Sequence, residues 1–346
     1  MDQLVRERIY VIPFEQIRDF CDVIFEYRRS ELRYQIKLYN YRRWGFMKKN
    51  PLKIRKFIDD VLAVENEDAL SAGHVGYMAR AMVMATLPHS KPNGMNFQRK
   101  NGLFTLTIIA NPKYGLPYGS LPRILLTWIT TEAVRRKSSI LELGETLSAF
   151  LRALNLSRQG GVRGDITRLR DQMLRLFTSH VSYTYQDTKS GYAKGENFLI
   201  ARSYELWWNP VETKTDNLLS NSYVTISSDF FNELVKNPIP VNIKVMHLLR
   251  RSPLQMDIYQ WLTYRFSFLK QCKKIPWVVL KNQFGSDYAD NAHGIRNFKA
   301  KFIDALNTVL TVYSTANVII ENRGLELYPS PSHIKKQLKK PTLAAE

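Results

Sequence analysis

The chain has 346 residues, of which 45% are apolar and 12% aromatic, and a formal net charge of +19. That apolar share is enough for packed cores and excludes a disordered tail, while the cationic excess points to a polyanionic partner, nucleic acid being the commonest. Cys21 and Cys272 are too few and too far apart for a disulfide framework or a zinc site, and the longest uncharged run, Ala305 to Ile320, is too short to span a bilayer, so a cytoplasmic protein without a membrane span is expected.

Residues 1–100 read as a basic, mainly helical extension and a lead-in loop. Between Tyr27 and Lys56 there are eleven lysines and arginines against one acid, Glu31, interleaved with Tyr27, Tyr34, Tyr39, Tyr41, Trp44 and Phe46. That mixture suits phosphates and stacked bases, and equally an amphipathic helix with solvated charges. Leu87 to Asn101, with two prolines and a glycine, reads as a loop before a strand from Leu103 to Ile109. Asn111 to Phe177 then reads as helix, short extended piece, helix, glycine-bearing turn and basic helix. Two alternating runs follow, HVSYTYQD and NFLIARSYELWW, expected to form a hairpin.

This is the order of a winged helix, placed at 101–208, and Asn209 to Ser222 reads as a linker. A second unit of similar order, placed at 223–332, runs from a strand at Tyr223 to Ile226 and a helix at Ser227 to Lys236. It continues through a long helix from Pro253, a strand-like run from Pro276 to Leu280 and a helix from Ile295 to about Tyr313. A closing hairpin spans Val318 to Tyr328, and 333–346 is a basic tail. The fold class expected is α+β, with tandem winged-helix domains (helix-turn-helix plus β-hairpin) behind an N-terminal helical extension.

Each last helix has one apolar face and one polar face, as a recognition helix requires. Ile166, Leu169, Met173, Leu176 and Phe177 cluster on the first, opposite Arg168 and Arg175 with Gln172 beside them. Arg163 falls near the helix start, within a turn carrying Gly160, Gly161 and Gly164. On the second, Ile295, Phe298, Phe302, Ala305, Leu306 and Val309 point inward, with Arg296, Asn297 and Lys301 outward. Arginine pairs bidentately with guanine and asparagine with adenine. Lys189 and Lys194 in one hairpin and Arg323 in the other are the wing candidates for phosphate or minor groove. Phe104, Leu106 and Ile108 look exposed in their strand, which suggests pairing with a second copy, or alternatively the core.

A series of short words resembles the RepA-type plasmid replication initiators. They are Leu87-Pro88-His89-Ser90, Arg99-Lys100-Asn101-Gly102, Gly115-Leu116-Pro117-Tyr118-Gly119, Pro122-Arg123, Thr131-Glu132-Ala133, Leu143-Gly144, Gly160-Gly161 and Arg168-Leu169-Arg170-Asp171-Gln172. The resemblance is strongest from about Gly76 to Phe177. It implies a bacterial protein that binds double-stranded repeats at a replication origin, helps open an adjacent A·T-rich segment, and recruits the host replication initiator and replicative helicase. It also implies a possible homodimer when acting as a repressor of its own promoter.

No phosphate loop, no paired histidines and no other catalytic constellation is present in the sequence, so neither a cofactor, a metal nor an enzymatic step is expected. The competing readings are a winged-helix transcriptional repressor and, from a different class, a DNA nicking or strand-transfer enzyme using one of the tyrosines.

Overall fold

The computed structural model describes residues 51–65, 67–144, 146–157, 161, 164–206 and 222–334. The stretch from Tyr27 to Asn50, Gly160, Arg163, most of the expected linker and the tail from Lys335 lie outside the described residues. The chain falls into two units, Met1–Leu62 and Ala63–Glu346. The described part of the first is the start of helix α1 (Pro51–Glu65), in which Ile58 and Val61 are buried.

The second unit begins with β1 (Val75–Ala79), α2 (Arg80–Met84), β2 (Asn96–Asn101), β3 (Phe104–Ile109), α3 (Ser120–Arg136), β4 (Ile140–Glu142), α4 (Leu147–Ala153) and α5 (Asp165–Phe177). It continues with β5 (His180–Asp187), β6 (Tyr192–Leu199), β7 (Ala201–Glu205), β8 (Tyr223–Ile226), α6 (Ser228–Lys236), β9 (Pro238–Asn242) and α7 (Ile243–Leu248). Last come α8 (Pro253–Phe266), β10 (Lys273–Pro276), α9 (Trp277–Phe284), α10 (Ala292–Val312), β11 (Val318–Ile320) and β12 (Gly324–Leu327). The mixture of helices and antiparallel sheets is α+β, as expected. Among the described residues no helix is long and apolar enough to cross a membrane.

Helix α3 has no single apolar stripe because it is buried nearly all round. Ile124, Leu125, Leu126, Ile129 and Ala133 are enclosed, and so are Arg123, Thr127, Thr130 and Thr131. Thr127 and Thr131 donate their hydroxyls to carbonyls one turn back, which satisfies them inside the core.

The principal sheet has the order β2-β3-β5-β6. Strand β3 lies inside it, so its alternate residues Phe104, Leu106 and Ile108 face the core and are buried. Of the two roles open to these residues, pairing with a second copy or packing in the core, the structure gives them the second. Asn96–Asn101, expected as loop, is strand β2, joined to β3 by the two-residue turn Gly102-Leu103. Gly102 has φ +62°, a conformation that favours glycine. The strand escapes a hydropathy pattern because one of its two buried positions is an arginine, Arg99, beside Phe97.

The expected second strand of the first hairpin is also divided. Tyr192–Leu199 pairs with β5, but Ala201–Glu205 leaves the sheet and pairs with β8, which in turn pairs with β4. Residues on either side of 209–221 therefore share the sheet β4-β8-β7. A second link unseen in the sequence is β1 against β9, Val75 opposite Asn242 through Ala79 opposite Pro238. Pro238 and Pro240 are tolerated because β9 has a neighbour on one side only. The strand-like run expected at Pro276 to Leu280 is displaced as well: the strand ends at Pro276, and Trp277–Phe284 is helix, with Pro276 as its N-cap.

Because Leu106 has no exposed surface, Leu106→Ala should cost about 2–5 kcal/mol of unfolding free energy in a urea titration. A variant with unchanged midpoint and a shifted oligomeric mass would contradict the core placement.

Candidate nucleic-acid interface

The family-like words converge on one buried ion pair. Arg123, near the start of α3, donates Nε and Nη2 to the two carboxylate oxygens of Asp257 on α8, each at 2.7 Å. Its remaining N–H groups reach Leu87 O (2.8 Å), Pro88 O (3.2 Å) and Gly119 O (2.5 Å). His89 Nε2 lies 2.8 Å from the same carboxylate. Burial alone would raise the Asp257 pKa, but the Arg123 charge and the hydrogen bonds from His89 and Arg123 outweigh it and hold the carboxyl below its ordinary value. For His89 burial prevails over the Asp257 hydrogen bond, and its pKa is lowered.

Arg99 forms a second internal tie. It is fully buried, donates Nη1 to Ser286 Oγ at 2.8 Å, and places Nη2 3.7 Å from Asp287 in the turn before α10. Burial lowers its pKa to about 10, so the guanidinium remains charged at neutral pH.

On this frame α4 is followed, after residues 154–164, by α5. Thr146 caps α4 by accepting from Ala149 N, and Asn155, with φ +49°, ends it. Helix α5 buries Leu169, Met173, Leu176 and Phe177, with Ile166 half-buried, as its periodicity requires. Its polar face differs from expectation. Arg168 is exposed (55%) and pairs with Asp165 at 2.6 Å. Gln172 is only 4% exposed, and its carbonyl accepts from Tyr118 N at 2.9 Å. Arg175 is 14% exposed, donates Nε to Asp171 at 2.8 Å, and packs its guanidinium over the Tyr118 ring at 5.5 Å. Gln172 and Arg175 thus hold the Gly115–Gly119 loop instead of facing outward. The loop accommodates this because Gly115 has φ +81°, and a Cβ there would lie 2.7 Å from Arg175 Nη1. Arg170 remains exposed on α5.

The first hairpin turns at Asp187–Tyr192, where the Asp187 carboxylate accepts from Lys189 N and Ser190 Oγ. Lys189 is exposed, and exposed Lys194 lies 3.1 Å from Glu196.

The second last helix, α10, starts three residues earlier than expected because Asn291 caps it by accepting from Gly294 N at 2.8 Å. Phe298, Phe302, Ala305, Leu306 and Val309 are buried, with Ile295 half-buried, while Arg296, Asn297 and Lys301 are all exposed. Asn297 Nδ2 lies 3.0 Å from His293 Nε2 one turn back. Arg323 is exposed in the turn between β11 and β12. That turn is anchored: Trp277 donates its backbone N–H to Arg323 O and its indole N–H to Glu321 O, and Lys299 Nζ reaches Asn322 O at 3.2 Å while lying over the Trp277 ring. The structure therefore brings Arg296, Asn297, Lys301 and Arg323 to the surface of one helix–hairpin segment.

The family model described as plasmid encoded RepA protein matches residues 116–279. Over this span the chain is similar to the RepA-type family. The RepA span runs from the Gly115–Gly119 loop through α5 and the first hairpin to the beginning of α9. Two solved structures of domains 2 and 3 of RctB are also similar in outline. One, a selenomethionine derivative, is 13% identical with a TM-score of 0.44, covering 70% of this chain and 94% of that one. The other is 12% identical with a TM-score of 0.41, covering 72% and 95%. No curated protein matches the sequence.

Asp257→Asn removes the charge that compensates Arg123, and should cost about 3–5 kcal/mol of stability in denaturant titration. Acid should act in the same direction. His247 is held down to about pKa 4, by burial first and by Arg250 second, so the folded chain binds fewer protons than the unfolded one. Its contribution is complete above the ordinary histidine value near 6.5 and is lost as pH falls from there towards 4. His247→Gln should flatten the urea midpoint across that interval, and an unchanged slope would contradict the assignment.

Proposed function

We propose that the chain is a non-enzymatic initiator that binds double-stranded repeats at a plasmid origin through two winged-helix heads, 101–208 and 223–332. In this reading it helps open adjacent A·T-rich DNA and recruits the host initiator and replicative helicase in the bacterial cytoplasm. The observation that carries it is a repeated order of elements. A helix, a short strand and two further helices precede a hairpin twice, as α3-β4-α4-α5-β5-β6 and as α8-β10-α9-α10-β11-β12. The RepA-type match and the charge of +19 support the same reading.

The two heads offer different surfaces. On α10, Arg296 and Asn297 lie exposed in the first two turns, where recognition helices meet base edges. On α5, Gln172 and Arg175 are engaged internally, which leaves Arg168 and Arg170 exposed. We assign most base reading to α10. Lys189, Lys194 and Arg323 serve as backbone contacts from the wings, and Arg163 remains a candidate at the start of α5.

Footprinting on DNA flanking the gene, followed by an origin-transformation assay, tests the function. A protected site that represses transcription without supporting replication would favour the repressor reading. Covalent adducts or nicks on supercoiled origin DNA with magnesium would favour a strand-transfer enzyme. Affinity should fall by roughly 10³ to 10⁵ between 50 and 200 mM salt if six to ten phosphates are contacted; a flat response would remove the nucleic-acid reading.

Asn297→Ala should relax preference at one or two positions of the footprinted repeat, by about 1–3 kcal/mol each. Lys189→Ala or Lys194→Ala should weaken all single-base variants alike and shallow the salt slope by about one unit. A uniform loss with Asn297→Ala would move base reading to Arg168 and Arg170.

A further inference from the structure

A cavity of about 470 Å³ lies beside α5, between the start of α3, the α4–α5 turn and the loop preceding α8. Three of its lining residues are arginines, Arg168, Arg250 and Arg251, and two are acids, Asp165 and Asp171. The acids are already engaged. Asp165 accepts from Ser157 N, Ser157 Oγ and Arg168 Nη2, while Asp171 accepts from Arg175 and Gln172. Their negative charge is thus matched by Arg168 and Arg175, and the cations left to define the cavity are Arg250 and Arg251, both exposed. Arg250 uses Nη1 on Asn155 O, at 2.5 Å, which fixes its guanidinium just after α4, the first helix of the proposed helix-turn-helix.

We infer that Arg250 and Arg251 form a phosphate clamp that holds the DNA backbone beside the first head. The location decides the ligand. In a helix-turn-helix the helix before the recognition helix crosses the backbone, so phosphates pass the turn that Arg250 touches. An arginine fork fixed through one nitrogen still presents donors in the geometry of phosphate oxygens. Such contacts position the protein without reading sequence. The clamp comes from the loop before α8, outside the first head, so the DNA bound by α5 would also be gripped by the second half of the same unit. Nothing in the Arg250-Arg251 dipeptide reveals this in the sequence, because its nearness to Asn155 arises only from tertiary folding.

The inference rests on the DNA-binding reading, and the test separates the two. The full chain is titrated into duplex carrying the footprinted repeat, across roughly 50 to 200 mM salt, as wild type, Arg251→Ala and Arg250→Ala/Arg251→Ala. Melting temperature is recorded for each, since Arg250 also supports the turn; Arg251→Ala decides the question if the double variant is unstable. The expected result is a loss of affinity equal for every single-base variant, with the salt slope shallower by about 0.9 for the single and about 1.8 for the double variant. Unchanged affinity and slope, while wild type binds and Asn297→Ala loses preference, would overturn the clamp and leave the proposed function standing. Failure of wild type to bind duplex would overturn both. ATP is the probe for a free nucleotide: binding to wild type but not to Arg251→Ala, with the DNA slope unchanged, would reassign the cavity and overturn the backbone contact.

Discussion

The arrangement of the second unit depends on the Arg123–Asp257 pair. A guanidinium carries five N–H donors, and Arg123 places one bond on each of five acceptors: two carboxylate oxygens and the carbonyls of Leu87, Pro88 and Gly119. The single side chain therefore fixes the loop before β2, the start of α3 and the middle of α8. Taking both charges from water is costly, and replacing such a pair by apolar residues is often neutral or stabilising. What the pair contributes is geometry. Only one mutual placement of these three segments satisfies every donor, and a shift of any one leaves a buried charge uncompensated.

That constraint is one of several that tie the two proposed heads into one unit. Besides Arg123–Asp257, β1 pairs with β9, β8 pairs with both β4 and β7, and Arg99 reaches Ser286 beyond α9. Each tie joins a segment before residue 206 to one after residue 222. If α5 and α10 both read DNA, as proposed, they present their contacts at a fixed spacing, so on a helical duplex their sites would have to keep a fixed phase.

The parts of the fold that follow from local chemistry were legible in the sequence. Periodicity alone located the buried faces of α5 and α10, because Leu169, Met173 and Leu176, or Phe298, Phe302 and Leu306, repeat at helical spacing and are enclosed. The strand His180–Asp187 was legible from alternation, and the closing hairpin from its Asn322-Arg323-Gly324 turn. What stayed hidden were positions where a polar residue does the work of a core residue. Two prolines and a glycine before β2 made it read as loop, with Arg99 at one of its two buried positions giving no apolar alternation, and β9 contains two prolines of its own. The depth of Phe104, Leu106 and Ile108 depended on neighbours on both sides of β3, which no single segment specifies.

The same limit governs the candidate site. A helical wheel places Gln172 and Arg175 away from the apolar stripe but cannot show that the Gly115–Gly119 loop covers that side. Burial of Gln172 against Tyr118 N, and the stacking of Arg175 on Tyr118, turn two apparent reading residues into supports for a family-like word. The charge of α5 is thereby thinner than its three arginines suggest, since Arg168 is paired with Asp165 and Arg175 with Asp171. A duplex lying along α5 would need cations from elsewhere in the unit, and Arg250 and Arg251 border the same cavity as Arg168. Arg296, Asn297 and Lys301 on α10 are exposed, and the neighbouring turn at Asn322 is held to Trp277 and Lys299. Internal hydrogen bonding thus decides how much of each helix's polar face stays at the surface.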